Sequence, residues 1–295
     1  YEIMPSLLGS EMCIRDRYVV DGVPLNNSAV YSTDVLNSGY DFGNGANAVN
    51  PDDVESMTIL KGAAATALYG SRAASGVVMI TTKTGKKNKG LGIEYNGGLQ
   101  WSTILRLPEF QNEFGMGWNG DHTELENGSW GPRFDGSMQL WGNKYENSQK
   151  LKPYSPIKNN IKDFFDAGFR YNNSVSFNGA TDKSEYYVSF SQISDDGMVP
   201  TDADSYDKYT FSARGSHKVK ALTFSSSLNY SYQKNKFATT GQGLTMLNSL
   251  YQTPRDVSII SLQDQNDIFN SPGYFYTPYG VMNPYYILEN YLNEY

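Results

Sequence analysis

The residue types that most often carry catalysis are scarce in this chain of 295 residues. It contains two histidines, His122 and His217, and one cysteine, Cys13. The histidines are far apart in sequence, and each lies in a polar, turn-like stretch. A metal site or a catalytic triad needs further ligands or a nucleophile beside them. No HExxH, CxxC or GxxxxGK[ST] pattern occurs either. The sequence therefore predicts no catalytic residue, no metal site and no cofactor, and we expect a protein that is not an enzyme.

Two short stretches imitate binding motifs. The glycine-rich GNGANA, at residues 43–48, looks like the start of a dinucleotide-binding fingerprint, but no strand and helix flank it in the required order. DADSYD, at residues 202–207, lacks the glycine and the terminal glutamate of an EF-hand loop. Both stretches are therefore interpreted as loops.

Cys13 lies in GSEMCIRDR, a polar stretch that passes abruptly into the apolar YVV. Residues 7–17 resemble the translated end sequence of a transposase adapter used to prepare DNA for sequencing, apart from Leu8, where the adapter gives Val. The alternative is a native cap or turn. We predict that residues 1–17 are a non-native or undetermined segment and that Cys13 carries no redox chemistry. The part of the sequence that can be interpreted as native then begins at Tyr18.

The composition favours β structure. Aromatic residues make up 14% of the chain and charged residues only 19%, with 23 Tyr and 28 Gly, a profile unlike helical bundles or disordered chains. The net charge of -7 argues against a nucleic-acid partner, which normally meets a basic face. No apolar run approaches the roughly 18 residues of a transmembrane helix. A transmembrane β-barrel stays open, because its strands alternate.

Residues 50–87 read NPDDVESMTILKGAAATALYGSRAASGVVMITTKTGKK. Asn50 suits a helix cap, and the proline and two acids after it suit a first helical turn. The pattern then predicts a short strand at 57–60, an alanine-rich helix at 63–68 and a buried β-branched strand at 77–82. Together these elements form a small α/β unit.

From residue 91 onward the hydrophobic period changes to two, with one apolar and one polar face. Five segments follow this pattern: 91–101, 170–179, 186–193, 209–215 and 222–232. Short connections join the second to the third segment and the fourth to the fifth, whereas the other connections are long. This asymmetry is typical of outer-membrane barrels. A soluble β-sandwich also alternates, so it remains an alternative.

The segment at 50–87, with YVVDGVPL at 18–25 upstream, resembles the plug-domain signature of TonB-dependent outer-membrane transporters, and it is similar to the SusC/RagA subgroup of Bacteroidota. The resemblance implies a mainly β fold, in which a small α/β plug is followed by a large transmembrane antiparallel β-barrel of roughly 22 strands. It divides the chain into the later part of a plug, 18–88, and the first barrel strands with long extracellular loops, 89–295. Five strands cannot close such a barrel, so we expect an internal fragment.

The resemblance also implies site residues. Structural roles in the plug fall to Asp21, Gly22, Lys61, Tyr69, Gly70, Arg72 and Gly76. As a further hypothesis, Lys61 and Arg72 pair with carboxylates on the inner barrel wall. In the first long loop, Trp118, Trp130 and Trp141 lie among glycines and carboxylates, which suits sugar rings. Alternatively, these tryptophans pack the loop or line an aromatic girdle.

The function implied by the resemblance is active import of a nutrient across the bacterial outer membrane. Its implied partners are a SusD-like surface lipoprotein, outer-membrane lipid, and TonB, which acts through a TonB box that this chain lacks. An oligosaccharide is the first choice of substrate, and a peptide or a siderophore is the alternative. From other classes, a soluble carbohydrate-binding β-sandwich and a secreted hydrolase remain open.

Overall fold

The computed structural model describes residues 17–26, 41–43, 45–61, 63–70, 73, 76–87, 92–239 and 241–295. Within these ranges the chain forms a four-stranded, a six-stranded and a two-stranded sheet. The first four strands are β1 (Arg17–Val20), β2 (Val23–Pro24), β3 (Val54–Leu60) and β4 (Val77–Thr82). The others are β5 (Ile93–Ser102), β6 (Met138–Tyr145), β7 (Ser148–Pro153), β8 (Gly168–Ala180), β9 (Ser184–Asp196), β10 (Ser205–Val219), β11 (Leu222–Ala238) and β12 (Leu292–Glu294). The α-helices are α1 (Ala63–Tyr69), α2 (Met246–Tyr251) and α3 (Pro284–Asn290).

The small α/β unit predicted from the sequence is confirmed. Its four strands have the order β2-β1-β4-β3, with β1 parallel to β4 and β3 antiparallel to it. Asn50 caps the 3-10 turn Pro51–Asp53, because its side chain accepts a hydrogen bond of 3.1 Å from the amide of Asp52. Helix α1 packs Ala65 against the sheet, in a core that includes Val19 and Val77. None of the helices in the described ranges is long and apolar enough to cross a membrane.

The six-stranded sheet has the order β12-β11-β10-β9-β8-β5. The five segments predicted from their alternation are its strands β5 and β8 to β11, and every neighbouring pair is antiparallel. Several strands extend further than the alternation indicated, and β11 continues to Ala238. Only residues 181–183 separate β8 from β9, and only 220–221 separate β10 from β11, whereas 103–167 lie between β5 and β8. The predicted asymmetry of the connections is thus confirmed.

The sheet has the opposite polarity to that of a soluble protein. Large apolar side chains on one face are exposed: Ile93, Leu99, Phe177, Phe190, Phe211 and Leu228. Small polar side chains on the other face are buried: Ser174, Ser176, Ser189, Ser191, Thr210 and Ser212. The α/β unit covers the polar face, and within the described ranges no second sheet covers the apolar one. A soluble β-sandwich buries its apolar face instead, so the sandwich alternative is wrong.

The two longest connections of the six-stranded sheet form one folded unit. We call residues 103–167 and 239–291 the outer cap. It contains the β6–β7 hairpin, helices α2 and α3, and a hydrophobic core to which both connections contribute. The first connection supplies Met116, Trp141, Ile161 and Phe164, and the second supplies Leu250, Val257, Ile259, Leu262, Phe275, Ile287 and Leu288. The sequence pattern of both connections predicts only loops, because this core forms between segments that are far apart in the chain.

Candidate functional site

The turn between β1 and β2 is hydrogen-bonded to β4, another strand of the same four-stranded sheet. Asp21 and Gly22 occupy the turn with φ angles of 49° and 84°, the left-handed pair that Asp-Gly favours in tight hairpins. The Asp21 carboxylate accepts hydrogen bonds from the amide of Thr82, at 2.9 Å, and from its hydroxyl, at 2.5 Å. The turn is therefore fastened to the end of β4, where it meets the six-stranded sheet.

Arg214, on β10, faces this turn from the polar side of the sheet. Its Nε lies 3.8 Å from Asp21 Oδ2, and only a tenth of its side chain is exposed. The guanidinium lies 5.5 Å from the centre of the Tyr187 ring and donates one hydrogen bond, of 2.9 Å, to Asn229. Among the residues that the structure describes, Nε and Nη1 have no hydrogen-bond partner. The contact between Asp21 and Arg214 is an ion pair at long distance.

A second contact is made by the 3-10 turn that Asn50 caps. Asp53 is buried, and its two carboxylate oxygens accept hydrogen bonds from the Tyr187 hydroxyl, at 2.8 Å, and the Ser189 hydroxyl, at 2.9 Å. Nearby, the ammonium of the buried Lys208, on β10, donates to the backbone carbonyls of Asn47 and Val49. The polar face of the sheet thus holds the α/β unit by hydrogen bonds to buried groups.

The contacts between the α/β unit and the sheet use both signs of charge. Asp21 and Asp53 of the unit lie beside cations and hydroxyls of the sheet, whereas Lys83 pairs with Glu94 of β5 at 3.3 Å and Lys87 pairs with Asp182 of the β8–β9 turn. Lys61 is exposed at the end of β3, and the ion pairs within the described part of the chain do not include it. Arg72 lies outside the described residues. Its pairing with a wall carboxylate therefore stays a prediction.

The remaining motif residues lie around helix α1. Tyr69 ends the helix and packs, partly buried, against the core of the α/β unit. Gly70 follows with a φ of 75°, the left-handed conformation that glycine adopts readily after a helix. Gly76 has a φ of 129°, and an added Cβ there would lie 3.2 Å from the carbonyl oxygen of Leu60. These positions need glycine for backbone reasons.

A buried ion pair lies at the centre of the outer cap. Lys152 Nζ, on β7, lies 2.6 Å from Asp256 Oδ2, and both side chains are buried. Asp256 also accepts a hydrogen bond of 2.9 Å from the amide of Met116, and the ammonium lies 5.0 Å from the Trp141 ring centre. Burial lowers the pKa of Lys152 to about 8, although the Asp256 carboxylate acts in the opposite direction. The pair joins the two halves of the cap.

Arg255 makes a further connection between the halves. Its Nε donates to the carbonyl of Gln111 at 3.0 Å, and its Nη2 donates to Asn112 Oδ1 at 2.8 Å and to the carbonyl of Ile157 at 3.1 Å. The planar guanidinium can satisfy several acceptors at once. Residues before β8 are therefore held by a side chain that comes after β11.

The structure separates the three tryptophans of the first connection. Trp118 and Trp130 are 56% and 66% exposed, whereas Trp141 is only 5% exposed. The Trp141 ring packs in the cap core, 5.6 Å from the ring of Tyr276. Trp141 is thus a packing residue and does not present a free ring face. Trp118 and Trp130 line one cleft, together with Phe114, Asn119, Gly120 and Gly131.

Both histidines have structural surroundings. The ring nitrogens of His122 lie 3.2 and 3.0 Å from the carbonyl oxygens of Met116 and Leu140. The Nδ1 atom of His217 lies 2.7 Å from the Ser184 hydroxyl, at the short-turn end of the sheet. In the part of the chain that the structure describes, no group of three His, Cys, Asp or Glu side chains is arranged to hold a metal ion.

Comparison with known proteins agrees with this geometry. Residues 9–77 match the family described as the TonB-dependent receptor plug domain. The match includes residues 9–17, which the sequence analysis assigns to an adapter-like segment, and that assignment stays a prediction. Residues 1–16 lie outside the described ranges, whereas Arg17 begins β1.

Relatives extend the likeness beyond the plug. The TonB-dependent receptor SusC of Bacteroides thetaiotaomicron is 27% identical over 228 residues, which are 77% of this chain and 20% of SusC. The TonB-dependent receptor P3 of Formosa agariphila is 30% identical over 156 residues, or 52% of this chain and 13% of that protein. A solved structure of the RagAB peptide importer in its "open-open" state is 22% identical with a TM-score of 0.49, and it covers 77% of this chain and 25% of its own. The chain thus spans about a fifth of the length of SusC.

The fold is that of a plug domain followed by antiparallel strands of an outer-membrane type of barrel. This follows from the α/β unit, from its match to the plug family, and from the sheet against which the unit packs. The chain is similar to TonB-dependent receptors, SusC among them, and its α/β unit matches their plug domain. This confirms the resemblance inferred from residues 18–25 and 50–87. Proteins of this family are transporters and not enzymes.

Proposed function

We propose that this chain is part of a transporter that imports a nutrient across the bacterial outer membrane in a TonB-dependent manner. The observation that carries the proposal is the polarity of the six-stranded sheet, which exposes its apolar face and buries serine and threonine under the plug. Exposed apolar side chains suit contact with lipid, and a polar inner wall suits a plug that has to move in water.

The proposed division of the chain follows from the same features. Residues 18–88 are the later part of the plug, and residues 89–295 are the first strands and outer connections of the barrel. The family match ends at residue 77, and β5 begins at Ile93, which supports a boundary between them. Within the described ranges, both edges of the six-stranded sheet are open. Open edges are not tolerated in lipid, so we propose that further strands complete a barrel.

The lengths of the connections between strands indicate how the barrel is oriented in the membrane. Outer-membrane barrels have short periplasmic turns and longer extracellular loops. On that basis, residues 181–183 and 220–221 face the periplasm, and the outer cap faces the outside. Substrate then enters through the cap, and TonB acts on the plug from the periplasmic side.

For the substrate we propose an oligosaccharide, received together with a SusD-like surface lipoprotein. The support is the likeness to SusC and the two exposed tryptophans of the cap. A ligand changes a conformational equilibrium only if it binds the two states differently. Import therefore requires that substrate bound beneath the cap alters the contacts at Asp21 and Asp53, by which the barrel wall holds the plug.

Two measurements on the intact receptor, expressed from its gene, test the proposed function. We expect it in the outer-membrane fraction as a heat-modifiable band, and we expect substrate-dependent growth to be lost in a strain without TonB. The inner-membrane exporters of the same strain serve as the fractionation control. Recovery of the intact receptor as a water-soluble protein, or uptake that is equal with and without TonB, would contradict the proposal.

A further inference from the structure

The cleft between Trp118 and Trp130 is a feature of the cap that folding alone does not explain. Its volume is about 430 Å³, and its lining residues are Phe114, Trp118, Asn119, Gly120, Trp130 and Gly131. More than half of each indole is exposed. Two indoles that face one cleft offer ring faces to a ligand, whereas the ring of Trp141 is buried in the cap core.

The backbone fixes the position of Trp118. Trp118 and Asp121 exchange two backbone hydrogen bonds of 3.0 Å, which closes a two-residue turn over Asn119 and Gly120. The φ angles of these central residues are 52° and 86°, as expected for an Asn-Gly turn of type I′. The indole of Trp118 therefore stands at the base of a tight hairpin.

The same hairpin holds Trp130. The amide of Trp130 donates to the carbonyl of Gly117 at 3.0 Å, and its carbonyl accepts from the amide of Gly120 at 2.8 Å. At Gly117 an added Cβ would lie 2.7 Å from the Cα atom of Gly131, so the hairpin and the Trp130 segment are in close contact. The indoles are thus presented on a preorganised frame, which reduces the entropy lost on binding.

The residues that line the cleft are uncharged. Phe114 forms part of the lining, and the Arg133 guanidinium lies 5.2 Å from its ring centre while pairing with Glu113 at 3.0 Å. The side-chain amide of Asn119 is exposed at the rim, and within the described part of the chain no hydrogen bond uses it. The described lining residues therefore offer ring faces and an amide, and no charge.

We propose that this cleft binds a neutral pyranose ring of an oligosaccharide, and that Trp118 and Trp130 are its contact residues. A pyranose has an apolar face of C–H groups and an edge of hydroxyls, which match an indole face and the Asn119 amide. The proposal rests on the import function above and names the chemistry of its substrate. A peptide would need a strand edge or charged groups for its termini, and the cleft lining has neither.

The test is a calorimetric titration of the intact receptor in detergent. The probes are maltoheptaose, cellohexaose, xylohexaose and mannohexaose. We expect at least one of these probes to bind. Trp118→Ala and Trp130→Ala should each weaken that binding about tenfold, and the double variant about a hundredfold. Trp118→Tyr should keep affinity to within about threefold, whereas Trp118→Leu should behave like Trp118→Ala, because leucine has no ring face.

A matched control separates the cleft from the cap as a whole. Tyr279 is 57% exposed on the cap but does not line the cleft. Tyr279→Ala should therefore leave affinity unchanged. Retention of heat-modifiable migration by every variant will show that each is folded in the membrane.

The outcomes distinguish this proposal from the function on which it rests. Full oligosaccharide affinity in the double variant would overturn the cleft assignment and leave the import function standing. Failure of all four oligosaccharides to bind, or binding of tetra- to octapeptides in their place with the same dependence on Trp118, would overturn the sugar chemistry. Loss of TonB dependence would instead contradict the import function.

Discussion

The carboxylate of Asp53, on the plug, accepts a hydrogen bond of 2.8 Å from the hydroxyl of Tyr187, on strand β9 of the wall. Its other oxygen accepts from Ser189 at 2.9 Å. The residue itself is buried, although no lysine or arginine pairs with it in the described part of the chain. The side-chain donors to this buried acid, within the described residues, are thus two hydroxyls of the wall.

Asp53→Ala should loosen the plug. It leaves two buried hydroxyls without their acceptor, which typically costs about 1–3 kcal/mol per group. We expect faster protease cleavage of the plug in the intact receptor and a lower unfolding temperature. The cleavage rate and the unfolding temperature of Asp53→Asn should lie between those of Asp53→Ala and the wild type, because the amide oxygen of asparagine still accepts one hydrogen bond. Asp52→Ala, one residue earlier at a half-buried position, is the matched control, and equal cleavage rates for both alanine variants would contradict the prediction.

Lys152→Met should destabilise the outer cap. The variant leaves the Asp256 carboxylate buried without its cation, a change that typically costs about 3–5 kcal/mol. The double variant Lys152→Met/Asp256→Asn should recover most of this loss, because no charge stays buried and Asn can still accept from the Met116 amide. Thermal unfolding of the intact receptor is followed by calorimetry, and cleavage of the cap by a protease is compared between the variants. A double variant as unstable as the single one would refute the pairing.

The stability of the cap should rise as the pH increases from about 8 to about 10. The pKa of Lys152 falls from its ordinary 10.5 to about 8 in the folded cap, so in this window the unfolded chain binds more protons than the folded one. The free energy of unfolding therefore increases with pH, by at most about 1.4 kcal/mol per unit. Below pH 8 this residue contributes no slope, because it is protonated in both states.

Above pH 10 the trend should reverse. Burial, with the nearby charge of Asp256 as a smaller cause, raises the pKa of Tyr154 from 10.0 to about 12. Between these values the folded cap keeps a proton that the unfolded chain has lost, so stability falls as the pH rises. Lys152→Met should abolish the rising limb, whereas Lys150→Met should keep it. A rising limb that survives in Lys152→Met would show that another group causes it.

The sequence was informative wherever a local pattern has one structural solution. The alternation at 170–179 and 222–232 fixed strands, because a period of two places every second side chain on one face. The Asp21-Gly22 turn and the glycine after α1 follow from backbone conformations that few residues adopt. The α/β unit and five strands of the six-stranded sheet could therefore be predicted, although several strands are longer than the pattern indicated.

The candidate sites depend on contacts that no local pattern encodes. Trp118, Trp130 and Trp141 look alike in sequence, yet only Trp141 is buried, because its neighbours come from residues more than a hundred positions later. The pairs at the plug interface could not be assigned either, because Lys83 and Lys87 meet wall carboxylates whereas Asp21 meets a wall cation. An acid in a turn looks like a solvated residue until the cation opposite, Arg214 for Asp21, is known.

The shared core of the outer cap also sets the order in which this part of the protein can fold. Residues 103–167 cannot complete their core until the polypeptide has reached Leu288, so their contacts have a high sequence separation and form slowly. The hairpins β8–β9 and β10–β11 involve neighbouring segments and close much sooner. The first connection must therefore wait, with Met116 and Trp141 unshielded, until the strands are already paired. Chaperone demand during biogenesis will be concentrated in that interval.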